Sequence, residues 1–137
     1  MEKGCPLSVL FADLDYYKKV NDLYGHGGGD LVLREMAGIL ARSIRKGKDW
    51  VARYGGEEFL AFLNGCGNGK AREIAERIRV AVMRHTFHYR GQDIRITCSF
   101  GVVTIDDFSA SPSPDEILDA VDRRLYQAKE RGRNVVV

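Results

Sequence analysis

The apolar run Leu7-Ser8-Val9-Leu10-Phe11-Ala12 stops abruptly at Asp13-Leu14-Asp15. Such a run is too short for a full helix, and its continuous apolar character marks a buried central strand that delivers carboxylates at its C-terminal end. Tyr16 to Leu23 has room for two helical turns before Tyr24-Gly25-His26-Gly27-Gly28-Gly29, which reads as a loop, and Asp30 opens a second helix. In that helix Leu33, Met36, Ala37, Leu40 and Ile44 fall at i, i+3, i+4, i+7 and i+11. They form one apolar stripe, suited to lie on a sheet.

Trp50 to Tyr54 and Phe59 to Leu63 flank Gly55-Gly56-Glu57-Glu58, which predicts a β-hairpin with glycines at its tip and acids at its turn. After a glycine-rich loop at residues 65–69, Ala71, Ile74, Ala75, Ile78 and Val82 repeat the helical spacing. Phe87 to Arg90 and Ile94 to Ile105 predict a second hairpin turning at Gly91-Gln92, with Gly101 as a bulge in the return strand. Ser113-Pro114-Asp115-Glu116 combines an N-cap, a proline at the first helical position and a glutamate three residues after the cap. The helix it opens closes at Gly132, and Val135 to Val137 reads as a last short strand. The order β-α-α-β-β-α-β-β-α-β predicts an α+β fold, a mainly antiparallel sheet of about five strands flanked by helices. No linker, repeat or low-complexity stretch divides residues 1–137, so they read as a single domain.

Hydrophobic residues at 45% and charged residues at 29% exclude a disordered, collagenous or disulfide-scaffold chain. With 21 basic against 19 acidic residues, the net charge of +2 provides no strong field for a nucleic-acid backbone. No nucleic-acid partner is expected, and any bound anion must be held locally. Cys5, Cys66 and Cys98 are odd in number and widely spaced, fitting neither a disulfide framework nor zinc ligation, and read as small hydrophobes in a reducing compartment. No apolar stretch is long enough to span a bilayer, and Met1 to Gly4 lacks the features of a signal peptide. A cytoplasmic location without membrane contact from this chain is the resulting expectation.

Candidate chemistry concentrates on acids. Asp13 and Asp15 end the first strand, and Glu57 and Glu58 crown a hairpin that can pair beside it, so four carboxylates have a route to one place. Converging carboxylates repel one another, and a hard divalent cation such as Mg²⁺ relieves that repulsion while also taking phosphate oxygens. Acids at strand ends and turns are more often simply solvated, and spacing alone leaves both readings open. Lys129 and Arg133, four apart at a helix end, complement the helix dipole whether or not they bind a ligand, and Asp30 suits a first helical turn for the same reason. His85 and His88 are three apart with no cysteine or acid to complete a ligand set.

Taken in order, Asp13-Leu14-Asp15-Tyr16-Tyr17-Lys18-Lys19-Val20-Asn21-Asp22, Gly25-His26 with Gly29-Asp30, and Arg53-Tyr54-Gly55-Gly56-Glu57-Glu58-Phe59 resemble the successive signatures of GGDEF domains, the diguanylate cyclases. Ser99-Phe100-Gly101-Val102, Leu125-Tyr126-Gln127-Ala128-Lys129 and Gly132-Arg133-Asn134 continue the likeness to the C-terminus. The resemblance covers nearly the whole chain. It implies a polymerase-palm-like, nucleotidyl-cyclase-like fold and a homodimer that condenses two GTP into cyclic di-GMP with release of two pyrophosphates. It also implies two Mg²⁺ ions per site, with Mn²⁺ as a substitute.

By motif matching, Asp13, the Leu14 carbonyl, Glu57 and Glu58 correspond to metal ligands and Glu57 to the proton acceptor. Tyr16, Tyr17 and Lys18 begin a helix whose free amides suit phosphates. Gly55 and Gly56 let the ribose and α-phosphate approach the backbone, and Lys129 and Arg133 match triphosphate contacts. Asn21 and Asp30 match the guanine-reading pair, with His26 at a substrate-contacting position. An ionised aspartate suits guanine's adjacent N1–H and 2-amino donors, whereas adenine presents a bare acceptor on that edge. The family's inhibitory Arg-x-x-Asp site is degenerate here, reading Lys46-Gly47-Lys48-Asp49. The usual upstream helix, with its Asp-x-Leu-Thr turn and Asn-Arg-Arg ending, has no counterpart before the first strand. The expectation is an output domain attached to a sensor or regulatory domain in a longer protein. The alternative function is a catalytically silent module that binds GTP or cyclic di-GMP to regulate a neighbour, although such modules commonly lose the hairpin acids present here.

Overall fold

The computed structural model describes residues 5–106 and 112–137. The leader reading at Met1–Gly4 lies outside the described residues. Strand β1 (Leu7–Leu14) is the expected central strand, buried from Ser8 onward. It pairs antiparallel on one side with β3 (Glu58–Asn64) and on the other with β6 (Cys98–Ile105), and β2 (Asp49–Gly55) flanks β3 to give the order β2-β3-β1-β6. Alternation along β1 sends Leu10, Ala12 and Leu14 to the larger core and Val9 and Phe11 to a smaller one on the opposite face. The larger core is closed by α1 (Tyr17–Ser43) and α2 (Asn68–Arg84), and the smaller by α3 (Pro114–Glu130).

The two helices expected here meet at a kink rather than across a loop. The break in α1 is confined to Gly25, whose φ of 75° and ψ of 176° are non-helical, and the second helix already includes the glycines that follow. The glycines that follow serve close packing. A Cβ at Gly28 would sit 2.6 Å from Tyr24 Cβ, and one at Gly29 would sit 1.9 Å from Asn21 Oδ1. Helix α2 buries the predicted stripe of Ala71, Ile74, Ala75, Ile78 and Val82. The capping box of α3 forms as read: Ser113 Oγ accepts from Glu116 N at 3.1 Å, and Glu116 Oε1 accepts from Ser113 N at 3.4 Å.

The second predicted hairpin is divided. Strands β4 (Phe87–Tyr89) and β5 (Gln92–Ile94) form a separate two-stranded sheet turning at Arg90-Gly91, one residue earlier than expected. Both turn residues have positive φ, 49° and 78°, the backbone that matches a tight hairpin's twist. Residues 98–105 join the main sheet instead, because Cys98, Phe100 and Val102 bury into the core beside β1. Gly101 is not a bulge, since the β1–β6 register is continuous through it. A Cβ there would lie 2.5 Å from both Val121 O and Leu125 N, so Gly101 lets α3 approach the sheet. Val135–Val137 makes a single parallel bridge, Val136 with Phe100, rather than a full strand.

Candidate functional site

At the end of β1, Asp13 stands opposite Glu58 of β3 and Ser99 of β6. One residue on, Leu14 N donates to the Glu57 carbonyl at 3.3 Å, which ties the hairpin tip to the strand end. Sheet pairing thus brings Asp13, Leu14, Glu57 and Glu58 together, although they are far apart in sequence. Asp13 is 5% exposed; Lys129 of α3 pairs with its Oδ2, while Oδ1 is buried without a hydrogen-bond partner. Burial raises the Asp13 carboxyl above its ordinary pKa, the Lys129 hydrogen bond and charge offset part of that, and Glu57 and Asp15 add to the rise. Glu58 is also raised, by burial first and then by the charge of Asp13, with Lys129 acting in the opposite direction.

Asp15 does not join this cluster. Its Oδ1 accepts from Ser99 Oγ at 2.7 Å, and its Oδ2 from Thr97 Oγ1 at 2.7 Å and Asn134 N at 3.0 Å. Of the four acids expected to converge, Asp15 is thus engaged elsewhere, which leaves Asp13, Glu57 and Glu58 as candidates. Among the described residues, no three His, Cys, Asp or Glu side chains are grouped closely enough to hold a metal ion by themselves. The donor set still fits a hard divalent cation: a buried carboxylate oxygen lacks a partner, and two of the three acids carry raised pKa values that a cation would reverse.

Tyr16 caps α1 in the left-handed region at φ 55° with no side-chain cap bond, and the first-turn amides of Tyr17 and Lys18 have no intrahelical partner by the nature of a helix start. Lys18 is exposed. Arg133 Cζ lies 4.6 Å and Lys19 Nζ 4.7 Å from the Tyr16 ring centroid, gathering cations at this helix start. Deeper along α1, Asn21 Oδ1 is buried and unpartnered. Burial raises the Tyr17 hydroxyl pKa; the hydrogen bond with Asn21 lowers it, and the charges of Asp30 and Glu57 raise it. Asp30 borders an open groove of about 570 Å³ shared with Arg34, Val51, Arg53 and Phe59. His26 is exposed. Gly55 and Gly56 are exposed with nothing within 4 Å of a would-be Cβ, and Arg53 Nε closes their turn on Gly56 O at 2.9 Å.

The family profile described as "Diguanylate cyclase, GGDEF domain" matches residues 1–135. This chain belongs to the GGDEF family. Diguanylate cyclase A of Treponema denticola is 42% identical over 136 residues, which is 98% of this chain and 36% of that protein. The GGDEF domain of DgcB from Caulobacter crescentus, solved in complex with c-di-GMP, is 30% identical with a TM-score of 0.89, covering 96% of this chain and 77% of that one. The active GGEEF domain of a diguanylate cyclase from Vibrio cholerae is 32% identical with a TM-score of 0.80, covering 96% and 81%. The chain spans about a third of the length of the Treponema relative. GGDEF diguanylate cyclases are in general divalent-metal dependent.

Away from the acids of this GGDEF domain, Lys46 is exposed but Asp49 is buried. Asp49 accepts from Arg45 N, Nε and Nη2 at 2.8 to 2.9 Å and from Asn64 N at 3.2 Å. Burial opposes its ionisation, yet the Arg45 hydrogen bonds and charge outweigh burial and hold its pKa low. His85 and His88 do not meet: one pairs with Glu35 at 2.6 Å, the other with Asp93 at 2.8 Å. Burial pushes the Cys98 thiol well above its ordinary value, as suits an inert core residue. Among the described residues no helix is long and apolar enough to cross a membrane. The contact between Tyr89 and the glycine face of α1, 2.2 Å from a would-be Cβ at Gly27, had no signal in the sequence because it joins segments far apart.

Proposed function

We propose that this GGDEF domain is a diguanylate cyclase that condenses two GTP into cyclic di-GMP and two pyrophosphates as a homodimer with two Mg²⁺ per site. The observation that carries the reading is Asp13. Its buried, unpartnered Oδ1 lies at a sheet end shared with Glu57 and Glu58, and its other oxygen is held by Lys129. Asp13, Glu57, Glu58 and the Leu14 carbonyl would hold the metal ions, which when bound lower the 3′-hydroxyl pKa and neutralise charge on the triphosphate.

The chain's own groups do the rest. Amides at the start of α1, Lys18, Lys129 and Arg133 bind the phosphates, and the bare Gly55-Gly56 backbone admits the ribose and α-phosphate. Asn21 and Asp30, with His26 nearby, fix the guanine. Each 3′-oxygen forms a bond to the α-phosphorus of the other GTP as the bond from that phosphorus to the bridging oxygen breaks, and pyrophosphate departs with that electron pair. The 3′-proton passes to the Glu57 carboxylate. Positioning and electrostatics supply most of the acceleration, and the twofold arrangement of domains presents each nucleophile to the other substrate. An attached sensor or regulatory domain would control that pairing. The retained hairpin acids favour this reading over a silent module. Incubating the purified chain with GTP and Mg²⁺ should yield cyclic di-GMP by mass; binding of GTP with no product from a demonstrated dimer would favour the silent module instead.

A further inference from the structure

Three consecutive residues after α3 have positive φ: Gly132 at 105°, Arg133 at 68° and Asn134 at 50°. Glycine takes this region freely, whereas an arginine followed by an asparagine there is costly and persists only where the surroundings impose it. The imposing contacts converge on Asn134. Its N–H donates to Asp15 Oδ2 at 3.0 Å and to Ser99 Oγ at 3.1 Å. Arg79 Nη1 donates to Asn134 Oδ1 at 2.9 Å and to its carbonyl at 3.3 Å. Asp15, 4% exposed, also receives the hydroxyls of Thr97 and Ser99, so it links the end of β1, the start of β6 and the turn after α3. The turn in turn places Arg133 Cζ 4.6 Å from the Tyr16 ring centroid and its Nη1 3.4 Å from Tyr16 Oη, at the N-terminus of α1.

We propose that Asp15 is a positioning residue that anchors the Arg133-Asn134 backbone in its left-handed conformation and so aims the Arg133 guanidinium at the phosphate-binding start of α1. For what Arg133 holds, the inference rests on the function proposed above. The choice of a carboxylate follows from the donors around it. The two hydroxyls can turn to accept, but the backbone N–H of Asn134 can only donate, and a carboxylate satisfies all three without a donor of its own. Asparagine at residue 134 also tolerates the left-handed region better than most residues.

The test uses the full chain with four substitutions, Asp15→Asn, Asn134→Ala, Asn134→Gly and Arg133→Ala. Nuclear magnetic resonance follows the ring-current shift that Tyr16 imposes on the Arg133 side chain, and calorimetry follows binding of inorganic tripolyphosphate with Mg²⁺. Asn134→Gly keeps both the N–H and the backbone freedom, so the shift should survive and affinity should stay within about twofold of the parent. Asp15→Asn and Asn134→Ala should lose the shift and weaken tripolyphosphate binding about fivefold or more, appearing in KM for GTP more than in kcat. In the Arg133→Ala background, Asp15→Asn should add less than about twofold. Retention of the Arg133 shift in Asp15→Asn, or an equal loss of affinity with and without Arg133, overturns the proposal. If Asp15→Asn does not fold, the contrast between Asn134→Gly and Asn134→Ala decides: equal shifts and affinities in the two overturn it. An unsubstituted chain with the shift intact that binds neither tripolyphosphate nor GTP overturns the proposed function and leaves the positioning of Arg133 standing.

Discussion

Lys129 is held against Asp13 Oδ2, so the cation that the family motif assigns to the triphosphate touches the carboxylate that the motif assigns to the metal. The end of α3 and the end of β1 thereby form one electrostatic unit. On the function proposed above, changing either residue should alter the field felt by phosphates and by a cation together.

Asp13→Asn and Glu57→Gln should each abolish cyclic di-GMP formation while leaving the circular dichroism spectrum unchanged, because each removes a ligand charge without changing side-chain size. Retention of more than about a tenth of the parent kcat, a loss under roughly 1.4 kcal/mol, contradicts the assignment.

Stability should depend on pH in two opposite ways. Burial places Asp13 and Glu58 above their unfolded pKa values, near 4, so the folded chain binds more protons than the unfolded one just above that pH. Their contribution is therefore complete below about 4 and lost as pH rises through the folded values. Asp49, held low chiefly by Arg45 against burial, contributes stability that is present above about 4 and lost as pH falls through its folded value. Thermal melts without divalent cation should show the upper loss diminished in Asp13→Asn and the lower loss diminished in Asp49→Asn. Added Mg²⁺ should restore Tm in the parent above the raised values but not in Asp13→Asn. Identical pH profiles for the three chains would refute the assignment.

GTP should be preferred over ATP, and Asp30→Ser should relax that preference, because serine cannot accept both adjacent guanine donors as an ionised carboxylate does. Competition kinetics with the two nucleotides measures this directly. An unchanged ratio in the variant would remove Asp30 from base selection.

Product binding at Lys46 and Asp49 should be weak. A lysine lacks the planar fork of arginine, and Asp49 is already engaged by Arg45. Losing one bidentate contact is worth about 1–3 kcal/mol, which predicts affinity for cyclic di-GMP roughly tenfold or more below that of an intact site. Calorimetric binding in the submicromolar range that disappears in Lys46→Ala would show that lysine replaces the arginine after all.

Gly101→Ala should cost about 1–3 kcal/mol by overpacking, since the new methyl meets the backbone of α3 rather than a side chain that can turn away. The displaced helix carries Lys129, so the variant should lose activity together with Tm. An unchanged Tm would mean that α3 shifts without strain.

Local pattern determined much of this protein. The apolar run of β1, the stripe of α2, the capping box of α3 and the glycine-acid hairpin were legible because periodicity, caps and turn residues act over a few neighbours. The motifs also named Asp13, Glu57, Glu58 and Lys129 before any contact between them was visible. Tertiary structure decided the rest. Glycines 27–29 look like a loop until Tyr89 and Asn21 are seen packed against them, and Gly101 looks like a bulge until α3 lies on it. Residues 98–105 left their hairpin for β1 because burial of Cys98, Phe100 and Val102 rewards that pairing. Asp13 and Asp15 are two residues apart on one strand end, yet one faces the acids and Lys129 while the other is consumed by Thr97, Ser99 and Asn134. That division depends on which donors the fold brings to each carboxylate, and those donors come from segments that no local reading connects.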